Sequence, residues 1–380
     1  MKARLPFAPD ELAAVRRPLA SARLLPVAAY ANPDVLAFEM ERIFHRAWLC
    51  VAREQDLPVP GSWMLSHATP AGLLLVRAQD RTLRAFHNVC PHRASSLVRG
   101  ERGRFARVQC PYHGWTFSLE GALIGAPHTM KLRNFRREDH ALRSLPTSVW
   151  EGFVFVRPSG DSPSLPRYLS PVPEPLARFD LASLVRARSV EHIVRANWKL
   201  LAENFAESHH FPYVHPELNR LTPYGRSASL PTRGRWQGGT MQLAAGVETV
   251  SMDGATHDRP LLAARDEVDR GKVYDFLLWP NLLLSVQPDY LLTYRLWPID
   301  CRTTRVVAEI HFAPGTSPAK PCATQDVFEF WDRTNAQDRD ACERQQIGVE
   351  SGAYAPGRYA EVEDGTQRFD QMVVQAYLGK

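Results

Sequence analysis

Residues 90–115 read C-P-H-R-A-S-S-L-V-R-G-E-R-G-R-F-A-R-V-Q-C-P-Y-H-G-W. The stretch contains a C-x-H pair, Cys90 and His92, and, after seventeen residues, a C-x-x-H pair, Cys110 and His113. Two thiolates and two imidazoles also suit tetrahedral zinc, so the spacing alone does not name the metal. The two ligand pairs begin with nearly identical sequences, Cys-Pro-His and Cys-Pro-Tyr-His. A zinc finger, by contrast, usually has a helix between its ligand pairs. The sequence therefore predicts a metal site carried by two short loops.

Apolar runs on both sides of these loops predict antiparallel β-sheet. Residues 83–86 precede the first loop and residues 105–108 precede the second, and both segments read as strands. Similar runs bounded by Gly and Pro occur at 72–76 and 152–156. We expect an all-β domain over residues 46–160.

This arrangement resembles the Rieske [2Fe–2S] motif, in which two Cys hold one iron and two His hold the other. The resemblance implies that Cys90 and Cys110 bind the inner iron, and that His92 and His113 bind the outer iron nearer the surface. Replacing two thiolates by neutral imidazoles makes the cluster less negative and raises its potential.

The remainder of the chain predicts an α+β fold, an antiparallel sheet with helices against it. A proline-rich segment, 158–176, marks a domain boundary, and the second domain is expected over residues 161–380. Within it the pattern predicts helices at 198–208 and 325–349 and strands at 190–194, 236–250, 276–287, 290–297 and 305–313. Residues 1–45 are expected to form a helical segment packed on this domain, with a helix over 33–44 capped by Asn32.

A second metal site is indicated within residues 197–215, which read N-W-K-L-L-A-E-N-F-A-E-S-H-H-F-P-Y-V-H. Glu207 and His210 are three apart and are expected to share one helix face. Pro212 should end or kink that helix, so that a turn brings His215 next to His210.

Together, the two sites resemble the catalytic α subunits of Rieske non-haem iron oxygenases, over residues 35–375. The resemblance implies a helix-grip-like catalytic domain, with the Rieske domain placed before or within it. It also implies a mononuclear Fe(II) held by His210, His215 and Asp338, a 2-His-1-carboxylate set with open positions for O₂ and substrate. Asp338, in the Gln-Asp pair on the late helix, is preferred to Asp340, which should point to another face of that helix.

The same resemblance assigns Asn204 and Glu207 to the catalytic machinery. In the family the corresponding carboxylate bridges the two metal centres across a subunit boundary, so a head-to-tail homotrimer is expected, with His113 of one copy near Glu207 of the next. His209 is expected to contribute to packing rather than to bind metal.

Charge and hydropathy restrict the partners. The net charge is +5, with both signs interspersed, and this does not indicate nucleic-acid binding. No apolar run suits a signal peptide or a membrane span, and the six cysteines lack disulfide-framework spacing, so we expect a cytoplasmic protein. Because no dinucleotide fingerprint occurs, electrons from NAD(P)H should arrive through a separate reductase, with a ferredoxin and a small β subunit as further candidate partners.

The expected activity is hydroxylation or oxidative demethylation of a small organic substrate with O₂. Glu207 slightly favours a quaternary amine or betaine as the substrate, because Glu is common at that position in family members that act on quaternary ammonium compounds. An aromatic acid is a close second candidate. Seven aromatic residues are candidates for the substrate pocket, although a place in the core is the commoner outcome for each of them: Tyr224, Trp236, Phe276, Trp279, Tyr290, Tyr294 and Trp297. Two alternatives remain, an electron-transfer Rieske protein without oxygenase activity and a zinc-binding structural protein.

Overall fold

The computed structural model describes residues 6–69, 71–159, 163–231, 234–262, 267–316 and 324–379. It divides into two compact units, one formed by residues 44–165 and the other by residues 1–43 together with 166–380. Among the described residues, no helix combines the length and apolar character needed to cross a membrane.

The unit formed by residues 44–165 is built from short antiparallel strands. They are β1 Leu49–Arg53, β2 Ser62–Ser66, β3 Leu73–Arg77, β4 Leu83–His87, β5 Arg102–Arg104, β6 Val108–Gln109, β7 Thr116–Phe117, β8 Leu123–Gly125, β9 Ser144–Leu145, β10 Thr147–Trp150 and β11 Phe153–Val156. Three sheets result, with the orders β1-β11-β10, β5-β2-β3-β4-β9 and β6-β7-β8. Buried Leu74, Phe86 and Phe117 belong to one apolar core that also includes both cluster-loop cysteines.

One strand prediction in this unit is corrected. Residues 105–108 do not form a single strand, because the chain leaves one sheet and enters another there. β5 pairs with β2 of the five-stranded sheet, and β6 pairs with β7 of the three-stranded sheet. Between them, the Phe105 N–H donates to the carbonyl of Gly61 (3.0 Å), and its ring stacks on Trp63.

The other unit contains one seven-stranded antiparallel sheet of order β12-β18-β17-β16-β15-β14-β13. Its strands are β12 Val185–Val194, β13 Ser227–Ser229, β14 Trp236–Gln242, β15 Lys272–Leu278, β16 Leu282–Val286, β17 Tyr290–Asp300 and β18 Thr303–Phe312. The chain's helices are α1 Pro9–Val15, α2 Ala28–Ala31, α3 Pro33–Glu39, α4 Leu165–Leu169, α5 Trp198–Phe205, α6 Phe211–Val214, α7 Pro216–Leu221, α8 Glu267–Arg270, α9 Gln325–Glu350 and α10 Asp364–Tyr377. This combination confirms the predicted α+β class.

The long helix α9 lies against the sheet through a stripe at helical spacing. Its buried positions are Val327, Phe330, Trp331, Thr334, Cys342, Gln346 and Val349. The first three belong to the same apolar core as sheet residues Leu292 and Phe312. Asp338 falls on this stripe, four residues from both Thr334 and Cys342, so the helix presents it toward the interior.

The predicted helix over 198–208 ends early, at Phe205. Its start is as expected, because Asn197 accepts a hydrogen bond from the backbone N–H of Lys199 (3.1 Å) and caps it. After Phe205 the Glu207 side chain accepts hydrogen bonds from the backbone N–H groups of His209 and His210. Such local side-chain bonds compete with helix continuation, so a turn replaces the last predicted residues of the helix.

Candidate metal centres and substrate cavity

The two loops of the Cys/His stretch have the same backbone hydrogen bonds. In each, the cysteine N–H donates to the carbonyl five residues on, at 2.8 Å after both Cys90 and Cys110. The N–H four residues on donates back to the cysteine carbonyl, at 3.0 Å in the first loop and 3.1 Å in the second. That fourth residue has a positive φ in both, +57° at Ala94 and +69° at Gly114. Two equivalent tight turns therefore present the two cysteines.

The donor atoms of these loops fit a Rieske cluster. Cys90 and Cys110 are buried, and burial, with a hydrogen bond to Cys110, raises the pKa of the Cys90 thiol. His92 is exposed, its ring stacks on Trp115, and the ring centroid of His113 lies 4.8 Å away. The Nδ1 atom of His113 is buried, and none of the described residues gives it a hydrogen-bond partner. A buried ring nitrogen that has no hydrogen-bond partner suits a metal ligand.

His210 and His215 are each held at the start of a short helix. His210 precedes α6, whose second residue is Pro212, and His215 precedes α7, which begins at Pro216. Pro212 was expected to end or kink the preceding helix; instead it lies in the first turn of a new one, where the missing N–H has no cost. The expectation that Glu207 and His210 share a helix face was wrong as well, because a turn separates them from α5.

Three side chains from different elements converge in this region. The Nε2 atom of His215 lies 2.7 Å from Oδ1 of Asp338, and Nε2 of His210 lies 3.6 Å from the same oxygen. One ligand atom from each of the three residues lies within 4.8 Å of the others, a spacing that could hold a metal ion. Asp340 is exposed and pairs instead with Arg344 (2.8 Å).

Two further side chains fix the orientation of both imidazoles. Oε1 of Glu207 lies 2.6 Å from Nδ1 of His210, and Oε1 of Gln337 lies 2.8 Å from Nδ1 of His215. An acceptor at Nδ1 holds a proton there, so in the neutral ring Nε2 keeps its lone pair, and both Nε2 atoms lie on the side of Asp338. Gln337 was noticed in the sequence only as the neighbour of Asp338; its contact with His215 depends on how α9 meets α6.

The electrostatics of the group are those of a cation site. Burial raises the pKa of Asp338, but hydrogen bonds from His210 and His215 outweigh it and hold the pKa at about 2. Burial lowers the pKa of His210, but the Asp338 and Glu207 carboxylates raise it to about 9. The carboxylates of Asp338 and Glu207 therefore stabilise a positive charge beside them, either a proton on His210 or a bound divalent ion. Two neutral-capable imidazoles and one carboxylate are the donor set of a non-haem Fe(II) site.

Asn204 and His209 lie beside this group. The Nδ2 atom of Asn204 is 3.5 Å from Nε2 of His210. His209 turns away, with its Nδ1 atom 3.4 Å from Oε1 of Glu363. The structure therefore brings Asn204 to His210 and leaves His209 outside the group of three.

The three residues form part of the wall of a cavity of about 500 Å³. Phe205, Tyr294 and Trp331 also line the cavity. The phenol of Tyr294 donates to Oδ1 of Asn335 on α9 (2.6 Å), which links the sheet to the helix that carries Asp338. The cavity is large enough for a small organic molecule.

The structure divides the seven candidate aromatics between the cavity wall and the core. Only Tyr224 and Tyr294 line the cavity. The other five are buried in the hydrophobic core: Trp236, Phe276, Trp279, Tyr290 and Trp297. Phe205 and Trp331, which do line the cavity, lie outside the 220–300 segment in which the aromatics were sought.

Two family models match the chain. The Rieske [2Fe-2S] domain matches residues 47–136, and the ring hydroxylating alpha subunit (catalytic domain) matches residues 181–379. The glycine betaine monooxygenase oxygenase subunit of Chromohalobacter salexigens is 28% identical over 88% of this chain and 81% of its own length. The carnitine monooxygenase oxygenase subunit of Escherichia coli K12 is 28% identical over 87% and 85%, and the chloroplastic choline monooxygenase of Arabidopsis thaliana is 26% identical over 93% and 82%.

Solved structures share the fold. A quaternary ammonium Rieske monooxygenase superposes with a TM-score of 0.82 at 24% identity, covering 97% of this chain and 98% of its own. Naphthalene 1,2-dioxygenase from Rhodococcus sp. gives a TM-score of 0.80 at 19% identity, covering 98% and 99%. The predicted helix-grip-like architecture is thereby confirmed. The family match over more than half of the chain, joined to a Rieske domain, shows that this protein belongs to the ring-hydroxylating α subunits of the Rieske non-haem iron oxygenases.

Proposed function

We propose that this chain is the oxygenase component of a system that oxidises a quaternary ammonium compound with O₂ and electrons from NAD(P)H delivered by a separate reductase. The observation that carries the proposal is the His210–His215–Asp338 group, which opens on a cavity with aromatic walls. The relatives named for glycine betaine, carnitine and choline support the substrate class.

In this proposal the two donor sets hold different groups. Cys90, Cys110, His92 and His113 hold the [2Fe–2S] cluster, and His210, His215 and Asp338 hold mononuclear Fe(II). When bound, the cluster supplies electrons one at a time and the mononuclear iron supplies O₂ activation. An electron carrier would not need the second group, so the carrier alternative is not favoured.

The chain's own side chains position the reactants. Glu207 and Gln337 hold the Nδ1 protons of the two imidazoles, so neither ring can turn its other nitrogen toward the cavity. The faces of Phe205, Tyr294 and Trp331 exclude water and suit N-methyl groups, which carry much of the positive charge of a quaternary ammonium and are attracted to aromatic faces.

The reaction balances as a monooxygenation. One oxygen atom enters a C–H bond, and the other leaves as water after taking up two electrons and two protons, with NADH as the electron source. If the C–H bond belongs to an N-methyl group, the N-hydroxymethyl product loses formaldehyde and a proton and leaves a tertiary amine.

The proposed assembly is a head-to-tail homotrimer in which His113 of one copy faces Glu207 of the next. Both residues suit this role, because the ring of His113 lies 4.8 Å from that of the exposed His92 on the neighbouring loop, and Glu207 already contacts His210 at 2.6 Å. A carboxylate between two imidazoles provides a short bonded route for an electron.

The test is NADH-dependent O₂ consumption by the purified chain with a Rieske-type reductase, over a panel of betaines, choline, carnitine and aromatic acids. We expect a quaternary ammonium compound to be converted, with the product identified by mass and NADH, O₂ and product in equal amounts. Conversion of an aromatic acid alone would replace the proposed substrate class, and the absence of any oxygenated product would remove the oxygenase assignment.

A further inference from the structure

Asp275 is an acidic residue that neither the ligand group nor the fold explains. It lies on β15, where its neighbours across the sheet are Gly239 on β14 and Ser285 on β16. Its side chain lines the cavity, as do those of Leu277 and Leu283 on the same sheet. The carboxyl group of Asp275 therefore lies in a part of the cavity wall that contains polar Ser285 as well as apolar Leu277 and Leu283.

Two other buried carboxylates of this unit have cationic partners. Glu309 on β18 lies 3.0 Å from Arg186 and 2.8 Å from Arg295. Burial raises the pKa of Glu309, but the two arginines outweigh it and hold the pKa at about 2. Asp289 lies 2.6 Å from Arg259. Buried carboxylates are normally matched in this way, because an unpaired buried charge is costly.

Asp275 has no such partner within the described part of the chain. Burial raises the pKa of Asp275 to about 7, and only a hydrogen bond with Ser285 opposes the rise. Arg339, the arginine in the cavity wall, influences the pKa values of His192 and Glu343 but not that of Asp275. The carboxyl group is thus left facing the cavity without a countercharge.

Asp275 and the ligand group influence the same part of the cavity. Burial, then the charges of Asp338 and Asp275, raise the pKa of Tyr294 well above its usual value. The phenol therefore lies within the electrostatic reach of both carboxylates. A molecule beside Tyr294 is exposed to negative charge from the sheet as well as from the ligand group.

We infer that Asp275 is the counter-ion for the cationic head of the substrate and is the residue that makes the cavity prefer a quaternary ammonium to a neutral group of the same shape. This rests on the proposed function. A quaternary nitrogen has no N–H to donate, so only charge and aromatic faces can recognise it. A carboxylate in a poorly hydrated wall attracts such a cation far more strongly than an exposed one does.

Wild-type holoenzyme gives the first test, with two probes of equal shape. Choline carries a trimethylammonium group, and 3,3-dimethylbutan-1-ol carries a neutral tert-butyl group in its place. We expect calorimetric titration to give a dissociation constant for choline at least about tenfold lower than that for the alcohol. Equal or reversed affinities would overturn the inference without the need for any variant.

The second test is Asp275→Asn, which keeps an oxygen for Ser285 and removes the charge. Its matched control is Asp300→Asn, at the exposed end of β17, where either side chain can accept the hydrogen bond from the N–H of Arg302. We expect Asp275→Asn to weaken choline binding by about 30-fold or more, leave the neutral alcohol within about threefold, and the control to change neither.

The outcomes separate this inference from the proposed function. If wild type converts a quaternary ammonium compound and Asp275→Asn still binds choline in preference to the alcohol, the proposed function stands and the role of Asp275 is lost. If wild type converts no quaternary ammonium compound and binds the alcohol as well as choline, both are lost. If Asp275→Asn does not fold, the test of the inference is the comparison of choline with the neutral alcohol in wild type, where equal affinities overturn it.

Discussion

Nδ1 of His210 lies 2.6 Å from Oε1 of Glu207, and the contact is made across a turn rather than along a helix. The other oxygen of the same carboxylate accepts the backbone N–H of His210 (3.2 Å). The Glu207 side chain thus fixes both the backbone position and the ring orientation of His210. Glu207 is therefore a positioning residue for His210, whatever else it contacts.

Glu207→Gln should lower kcat by about 10- to 100-fold, because an amide cannot serve both as a charged partner of the ring and as the acceptor of the backbone N–H groups. Iron content and the reduction of the cluster by dithionite should remain those of wild type. Steady-state turnover, measured alongside iron analysis, checks this. An unchanged kcat with unchanged iron would refute the positioning role.

Asp338→Asn should remove one iron per chain, because the neutral amide no longer balances two imidazoles and a divalent cation. We expect iron analysis to fall from about three to about two per chain while the visible spectrum of the [2Fe–2S] cluster persists. Asp340→Asn is the matched control, since Asp340 lies two residues away, is exposed and pairs with Arg344. Retention of three irons in Asp338→Asn would show that another residue is the carboxylate ligand.

Two inactive variants should restore activity when they are assembled together. Cys110→Ser should abolish the cluster, and Asp338→Asn should abolish the mononuclear site. Each is expected to be inactive alone. In a mixed ring, an intact cluster of one chain adjoins an intact iron site of its neighbour, so co-expression should recover a measurable part of wild-type turnover. If native mass spectrometry finds mixed assemblies and turnover stays absent, electrons do not cross between subunits.

Lys199→Met should destabilise the unit that holds the cavity. Lys199 and Glu39 are both fully buried, and Nζ lies 2.7 Å and 3.0 Å from the two carboxylate oxygens. Removing the ammonium leaves a buried carboxylate unpaired, which typically costs about 3–5 kcal/mol. The measurement is the midpoint of urea unfolding, with Lys131→Met, at an exposed lysine, as control. Equal midpoints for the two variants would contradict the assignment of Lys199 to a stabilising buried pair.

Asp370 should make stability fall as the pH rises. Its carboxyl is buried beside that of Glu203 and accepts a hydrogen bond from the Tyr359 phenol (2.6 Å). Burial raises the pKa of Asp370 from 3.8 to about 7, despite the nearby Lys199. The folded state thus holds a proton that the unfolded state releases, so stabilisation is complete below the unfolded pKa and is lost as pH rises toward 7.

Asp370→Asn mimics the protonated acid and should remove this dependence. We expect the Tm of the variant minus that of wild type to be larger at pH 8.5 than at pH 5.5. The corresponding difference in the free energy of unfolding should change by no more than about 1.4 kcal/mol per pH unit. Thermal unfolding at both pH values checks the sign. A difference in Tm that stays constant with pH would mean that Asp370 does not titrate in this range.

Features that depend on neighbours along the chain could be predicted from local patterns of residues. The cluster ligands lie in two turns of equal design, so their spacing was enough to predict the loops. Helical periodicity predicted a long helix over 325–349, and the resemblance to the family indicated Asp338 on it. Asn32 could also be predicted as the cap of α3, because a capping side chain contacts its own helix.

Only the tertiary structure decided which side chains meet from distant segments. The contact of Gln337 with His215 joins α9 to the turn before α7. Five of the seven candidate pocket aromatics lie in the core, because the packing of the whole sheet against its helices decides which aromatic side chains reach the cavity. Asp275 faces the cavity for a reason that no local pattern contains: the register of β15 between β14 and β16 turns it inward, and sheet register is set by the packing of the whole sheet.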